Sequence, residues 1–136
     1  MIQENKDLLL KDLCARLPYG VKGFVDGLGI VTLRGFADYV ANDVAIEHNG
    51  NLSWMEVSNF KPYLRPMSSM TEEECITLSK LIPYETDAWK HIKTPIPLYI
   101  ANIEQFDFFH RHHLDWRGLI SKGLALEASK NIYNNE

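Results

Sequence analysis

The sequence predicts an α+β fold: an N-terminal helix, a small curled antiparallel sheet or open barrel of four to five strands, then two to three C-terminal helices. Three observations predict it. Leucines recur at helical spacing near the start, two hairpin-type dipeptides (Asp26-Gly27 and Asn49-Gly50) punctuate β-rich runs, and a capping box at Thr71 opens a later helix. The chain reads as a single domain over 1–136, with a helix plus β-rich half at 1–66 and a helical half at 67–136.

The first helix is predicted over Asn5–Leu17. Leu9, Leu10, Leu13 and Leu17 form its apolar stripe. Lys6, Asp7, Lys11, Asp12 and Arg16 fall between them, the pattern of a helix with a charged outer face lying on a sheet. Pro18 ends it and Tyr19-Gly20 turns the chain. Strand chemistry follows in Val21–Val25 and Leu28–Leu33, joined by Asp26-Gly27 as a two-residue loop. That pairing sets Phe24 against Gly29. A second hairpin runs Val44–His48, Asn49-Gly50, Asn51–Val57. Frequent glycines and short strands favour a strongly bent meander or small barrel over residues 20–65.

Lys61-Pro62-Tyr63-Leu64-Arg65-Pro66 carries two prolines four apart, so it is expected as an extended edge or a crossing linker that leaves the sheet. Thr71 with Glu74 then forms the capping box of a helix whose stripe is Cys75, Leu78, Leu81 and Ile82, stopped by Pro83. Tyr84–Tyr99 reads mostly as loop. Asn102 caps a third helix, with Gln105 at the reciprocal position and Ile103, Phe106, Phe109 and His113 on one face. Asp115 caps a short turn over Trp116–Lys122, Gly123 terminates it, Leu124-Ala125-Leu126 is extended, and the tail from Ser129 is frayed.

The 136 residues are 46% hydrophobic, 24% charged and 11% aromatic, average values that exclude disordered and fibrous classes. The net charge of -4, spread over both halves, argues against a general phosphate-backbone binder. The opening residues are polar, and the run Leu8-Leu9-Leu10 is too short for a signal-peptide core. The stretch Ile96–Ala101 is far short of a membrane span. The reading is a cytoplasmic protein. Cys14 and Cys75 lack metal or redox spacing and read as buried small hydrophobes.

The densest polar constellation is Asp107, His110, Arg111, His112, His113 and Asp115. His110 and His113, three apart on a helix with Asp107 one turn before, are weak metal candidates, because the helical zinc motif needs four-residue spacing and an intervening glutamate. The alternative is a helix end with one histidine packed inward. Asp115, Trp116 and Arg117 are the candidate partner-binding residues, since a Trp–Arg pair anchors interfaces, although it equally locks chain segments together. Lys22, Arg34, Lys61 and Arg65, with Tyr63 or Phe24 stacking, form a candidate nucleic-acid patch. Gly27-Leu28-Gly29 lacks the third glycine of a nucleotide loop, and no catalytic residue or cofactor is assigned.

Three blocks, DLCARLPYGV from Asp12, KPYLRPMSSMTEEE from Lys61 and HHLDWRGLISKGLALEA from His112, cover less than a third of the chain. In this order they resemble a group of small proteins encoded in prophages and mobile elements of gut bacteria. The resemblance implies an accessory, phage-associated origin and an intracellular setting, and it brings no activity, ligand or residue role. The leading expectation is therefore a non-catalytic protein-interaction module, with the net negative charge favouring a protein partner. Nucleic-acid binding through the basic patch is the alternative, and a metal-dependent enzyme using the histidine-rich helix ranks third.

Overall fold

The computed structural model describes residues 1–37, 42–80 and 103–133. Helix α1 spans Gln3–Arg16 and runs into a single 3-10 turn over Leu17–Tyr19, after which Gly20 takes the left-handed conformation (φ 68°) that turns the chain. Leu9 and Leu13 are fully buried, each burial contributing about 1.5–3 kcal/mol. The expectation of a charged outer face fails at two positions. Asp12 and Arg16 are also fully buried. Positions 9, 12, 13 and 16 lie one helical turn apart, so this ion pair shares the inward stripe with the leucines.

Among the described residues six strands follow: β1 (Lys22–Val25), β2 (Gly29–Phe36), β3 (Asp43–His48), β4 (Asn51–Glu56), β5 (Phe60–Leu64) and β6 (Leu126–Glu127). They form an open sheet in the order β4-β3-β2-β1-β5-β6. Of the two expected forms, curled sheet or open barrel, the sheet form is found: β4 and β6 are its two ends and do not pair. All pairs are antiparallel except β5–β6, which is parallel, as the long connection between these two strands permits. The inner face carries Val25, Val31, Leu33, Val44, Ile46, Phe60 and Leu64, packed against Leu9 and Leu13 of α1 and against Leu119 and Leu124.

The second hairpin has the expected register, with His48 opposite Asn51 and positive φ at both Asn49 (52°) and Gly50 (83°), as a type I′ turn requires. The first hairpin differs by one residue. Val25 pairs with Gly29 and Phe24 with Ile30, leaving a three-residue loop closed by Leu28 N–H donating to Val25 C=O at 3.0 Å. Asp26 keeps negative φ while Gly27 (88°) and Gly29 (89°) are both positive, so the geometry is not the I′ type that a two-residue loop needs. One residue of slip exchanges the faces of β2, so Ile30 joins Phe24 on the outer face, and both are exposed, as is Leu28 in the loop.

The Lys61–Pro66 segment does not leave the sheet. Its residues through Leu64 belong to β5, between β1 and β6. Pro62 is accommodated by hydrogen-bond parity. Leu33 N–H donates to Val21 C=O, which fixes the odd residues of β1 toward β2 and leaves Lys22 and Phe24 toward β5. In the β1–β5 register Phe24 faces Lys61 and Gly23 sits across from Pro62, so the proline nitrogen points away from β1. On that side β6 pairs only with Tyr63 and Leu64.

Gly23 is required here by close approach. A Cβ at this position would lie 2.5–2.6 Å from the Phe60 ring and 2.7 Å from the Lys61 carbonyl oxygen. Gly23→Ala is expected to cost about 1–3 kcal/mol, read as a lower urea midpoint at unchanged slope.

Helix α2 (Glu72–Ser79) opens with the expected capping box, Thr71 and Glu74 each satisfying the other's backbone N–H. Helix α3 (Ile103–Arg111) follows, and with Met67, Met70, Cys75, Leu78 and Leu114 its Phe108 and Phe109 build a second apolar cluster. The Asn102 cap, the loop over Tyr84–Tyr99 and the positions Leu81, Ile82 and Pro83 lie outside the described residues. Cys75 is buried as expected, whereas Cys14 is exposed. No helix among the described residues is long and apolar enough to cross a membrane.

Candidate interaction surface

The helix and the C-terminal turns occupy one face of the sheet. The other face is bare among the described residues, and it presents apolar side chains to solvent. On β4, Leu52 is 66% and Trp54 60% exposed; at the β1–β2 hairpin, Ile30 is 52% and Phe24 37% exposed. Leu52 lies across from Glu47 and Trp54 across from Ala45, so both project from the outer face. Thr32, Arg34 and Glu47, the last two joined by a 2.9 Å ion pair, separate the β4 patch from the hairpin patch.

Strand β4 is also an end of the sheet. Val57 N–H donates to Asn42 C=O, one rung beyond the Asp43–Glu56 pair, which fixes the odd residues of β4 toward β3. The N–H and C=O groups of Leu52 and Trp54 therefore point away from the sheet. Six residues without proline, lysine or a bulge make β4 an unguarded edge. Its only charge, Glu56, is taken by Lys6 at 2.8 Å.

The residues singled out in the sequence are placed differently. Asp115 is buried and its carboxylate accepts from the N–H groups of Leu119 (2.7 Å) and Ile120 (2.9 Å), organising a series of turns and not a helix. Trp116 Nε1 donates to His110 Nε2 at 3.0 Å, and the Arg117 guanidinium lies 4.2 Å from the Trp116 ring centroid. Arg117 Nε donates to Asp12 Oδ1 at 2.9 Å. The trio thus ties the C-terminal turns to α1.

Three of the five patch residues have side chains engaged within the chain. Lys22 Nζ donates to Ile132 C=O (3.2 Å) and Arg34 pairs with Glu47. Arg65 donates to both Glu74 carboxylate oxygens at 2.6 and 2.8 Å. This fork holds the Glu74 carboxyl down at about 2, against the opposing push of burial. Tyr63 is half-buried on β5, its backbone carbonyl accepting from Tyr133, while Lys61 is exposed opposite Phe24.

The expected shared face of His110 and His113 does not form, because α3 ends at Arg111 and His113 sits beyond it in the left-handed region (φ 59°). His110 Nε2 is occupied by Trp116, and among the described residues no group of three or more His, Cys, Asp and Glu side chains converges on a metal-sized site. Burial, with the Arg16 charge nearby, pushes both imidazoles down to about 4. His113 Nδ1 and Arg16 Nη1 are buried without a hydrogen-bond partner among the described residues.

His113 stacks on Tyr133, centroids 3.5 Å apart and planes 8° from parallel, at one wall of a cleft of about 700 Å³ that also involves Arg65, Glu74, Arg111, His112 and Lys130. The tail is therefore not frayed at Tyr133. Its hydroxyl accepts from Lys22 N–H (2.9 Å) and donates to Tyr63 C=O (2.8 Å), bridging β1 and β5 one rung past their last direct pair. Burial raises the phenol well above its ordinary value. Tyr133→Phe strands the Lys22 N–H and the Tyr63 carbonyl. A loss of about 1–3 kcal/mol is expected in urea unfolding, with faster proteolysis after Lys130.

Leu52 and Trp54 were missed by the sequence reading. Their signal was present in the two-residue alternation of Asn51–Glu56, where two large apolar side chains share a face. Comparison with protein-family models, with curated proteins and with solved structures returns no match for this chain.

Proposed function

We propose that the protein is a non-catalytic protein-interaction module of intracellular, phage or mobile-element origin, and that it binds through the β4 side of the bare sheet face. The observation that carries this reading is Leu52 and Trp54 standing side by side, largely exposed, on an edge strand whose outward backbone groups have no partner among the described residues. A tryptophan at the rim of an unpaired strand supplies a large apolar anchor, and the strand supplies directional hydrogen bonds. A protein partner fits better than nucleic acid. The net charge is -4, and Arg34 and Arg65 already have carboxylate partners.

A photo-crosslinking amino acid at position 54, expressed in the native host, is expected to yield one discrete protein adduct. The same residue at exposed position 73 on α2 serves as the control and is expected to yield none. No adduct at 54, or a salt-dependent shift with DNA or RNA in its place, counts against this reading.

A further inference from the structure

We infer that the occupant of the β4 edge is a second copy of this chain, paired antiparallel about a two-fold axis at Ser53; the inference rests on the interaction reading above and names its partner.

Parity restricts the pairing. Only even residues of β4 offer outward N–H and C=O groups, so a second β4 bonds to it through Leu52, Trp54 and Glu56. Three antiparallel registers satisfy this with at least two of these residues of each copy paired. Those centred on Trp54 and on Met55 set Leu52 or Trp54 opposite Glu56 of the second copy, an apolar–acidic mismatch. The third centres on Ser53 and sets each Leu52 opposite a Trp54, with both residues of each pair projecting from the same outer face. It also places Asn51 opposite Met55, and no two charges meet. The strand is complementary to itself in this register alone.

Charge supports the same choice. The edge is neutral because Glu56, at its end, is paired with Lys6, so two copies approach without local repulsion despite their net charge. The result is a continuous twelve-stranded sheet whose joined outer faces carry two leucines and two tryptophans across the axis, while strand β6 closes each far end.

At about 100 µM, well above the micromolar Kd expected of so small an interface, the wild type is expected to sediment as a dimer. The expected mass is twice the 15.7 kDa of the chain. Leu52→Lys is the discriminating variant. Directly opposite Glu47 on β3, the new ammonium gains a cross-strand partner in the monomer, so the fold is retained, while it guards the edge. It is expected to sediment as a monomer with an unchanged urea midpoint.

The register is read separately. Ser53 and its counterpart form a non-hydrogen-bonded pair with Cα atoms about 4.5 Å apart, within disulfide reach. Ser53→Cys, in a Cys14→Ser background because Cys14 is exposed, is expected to oxidise to a covalent dimer, and Trp54→Cys is not. A monomeric wild type, a dimer that survives Leu52→Lys, or a failure of Ser53→Cys to crosslink overturns the inference. A monomer that still forms a crosslink at position 54 to a different protein leaves the interaction reading standing and removes self-pairing.

Discussion

Asp12→Ala is expected to remove about 3–5 kcal/mol of stability, a large part of what a domain of this size possesses. The carboxylate is fully buried and holds two guanidinium groups at once. Arg16 Nε and Nη2 donate to it at 2.6 and 3.2 Å, and Arg117 Nε at 2.9 Å. Arg16 has one further bond, from Nη2 to Leu114 C=O at 2.8 Å, and its Nη1 is already without a partner. Removing Asp12 leaves a buried cation with a carbonyl as its remaining hydrogen-bond acceptor, and it releases Arg117 from α1. The cost is the uncompensated charge and not the worth of the pair. A double variant, Asp12→Leu with Arg16→Met, is therefore expected to recover most of the loss, since apolar groups of similar volume replace buried ion pairs at little cost. Urea unfolding of both variants checks this; a single variant within 1 kcal/mol of wild type would show the pair to be far less enclosed than its burial implies.

The same pair marks where the sequence was legible and where it was not. Local signals were read correctly when the physics that fixes them is local: the Asn49-Gly50 turn, the Thr71–Glu74 box, the left-handed Gly123. Asp12 and Arg16 lay on the leucine stripe in plain view, but polarity assigned them to solvent, and only the distant Leu114 and Arg117 make their burial tolerable. Pro62 argued for an edge in the same way. What admits it is the shortness of β6, contributed by residues some sixty positions later. The first hairpin slipped by one residue because Asp26-Gly27 suits either a two- or a three-residue loop, and core burial of Val25 and Val31 decides between them. At the candidate surface, the alternation of Leu52 and Trp54 was readable while the edge position of β4 was not. Edge position depends on β1 choosing β5 as its second neighbour, a non-local outcome.

Acid is expected to unfold the protein in two windows, with the first and steeper one above pH 4. His110 and His113, 6% and 8% exposed, are held neutral in the folded chain down to about 4 against an ordinary 6.5. Between those values the unfolded chain binds protons that the folded chain refuses, so stability present above pH 6.5 is lost as pH falls and the loss is complete near 4. Each histidine contributes roughly 3 kcal/mol to that loss if its burial persists, and the two together set a slope near 2.7 kcal/mol per pH unit. Glu74 acts lower. Its carboxyl, held at about 2 by Arg65, gives up its stabilisation only from its ordinary 4.5 downward. Urea midpoints taken from pH 7.5 to pH 4.5 therefore isolate the histidines. His113→Asn is the informative variant, because asparagine tolerates the positive φ of 59° and does not titrate. Whatever it loses at pH 7.5 with the Tyr133 stack, its slope between pH 6.5 and 5 is expected to be shallower than that of wild type, with His110 and His112 supplying what remains. An unchanged slope would mean that His113 is protonated in the folded state, which its burial and the adjacent Arg16 charge both oppose.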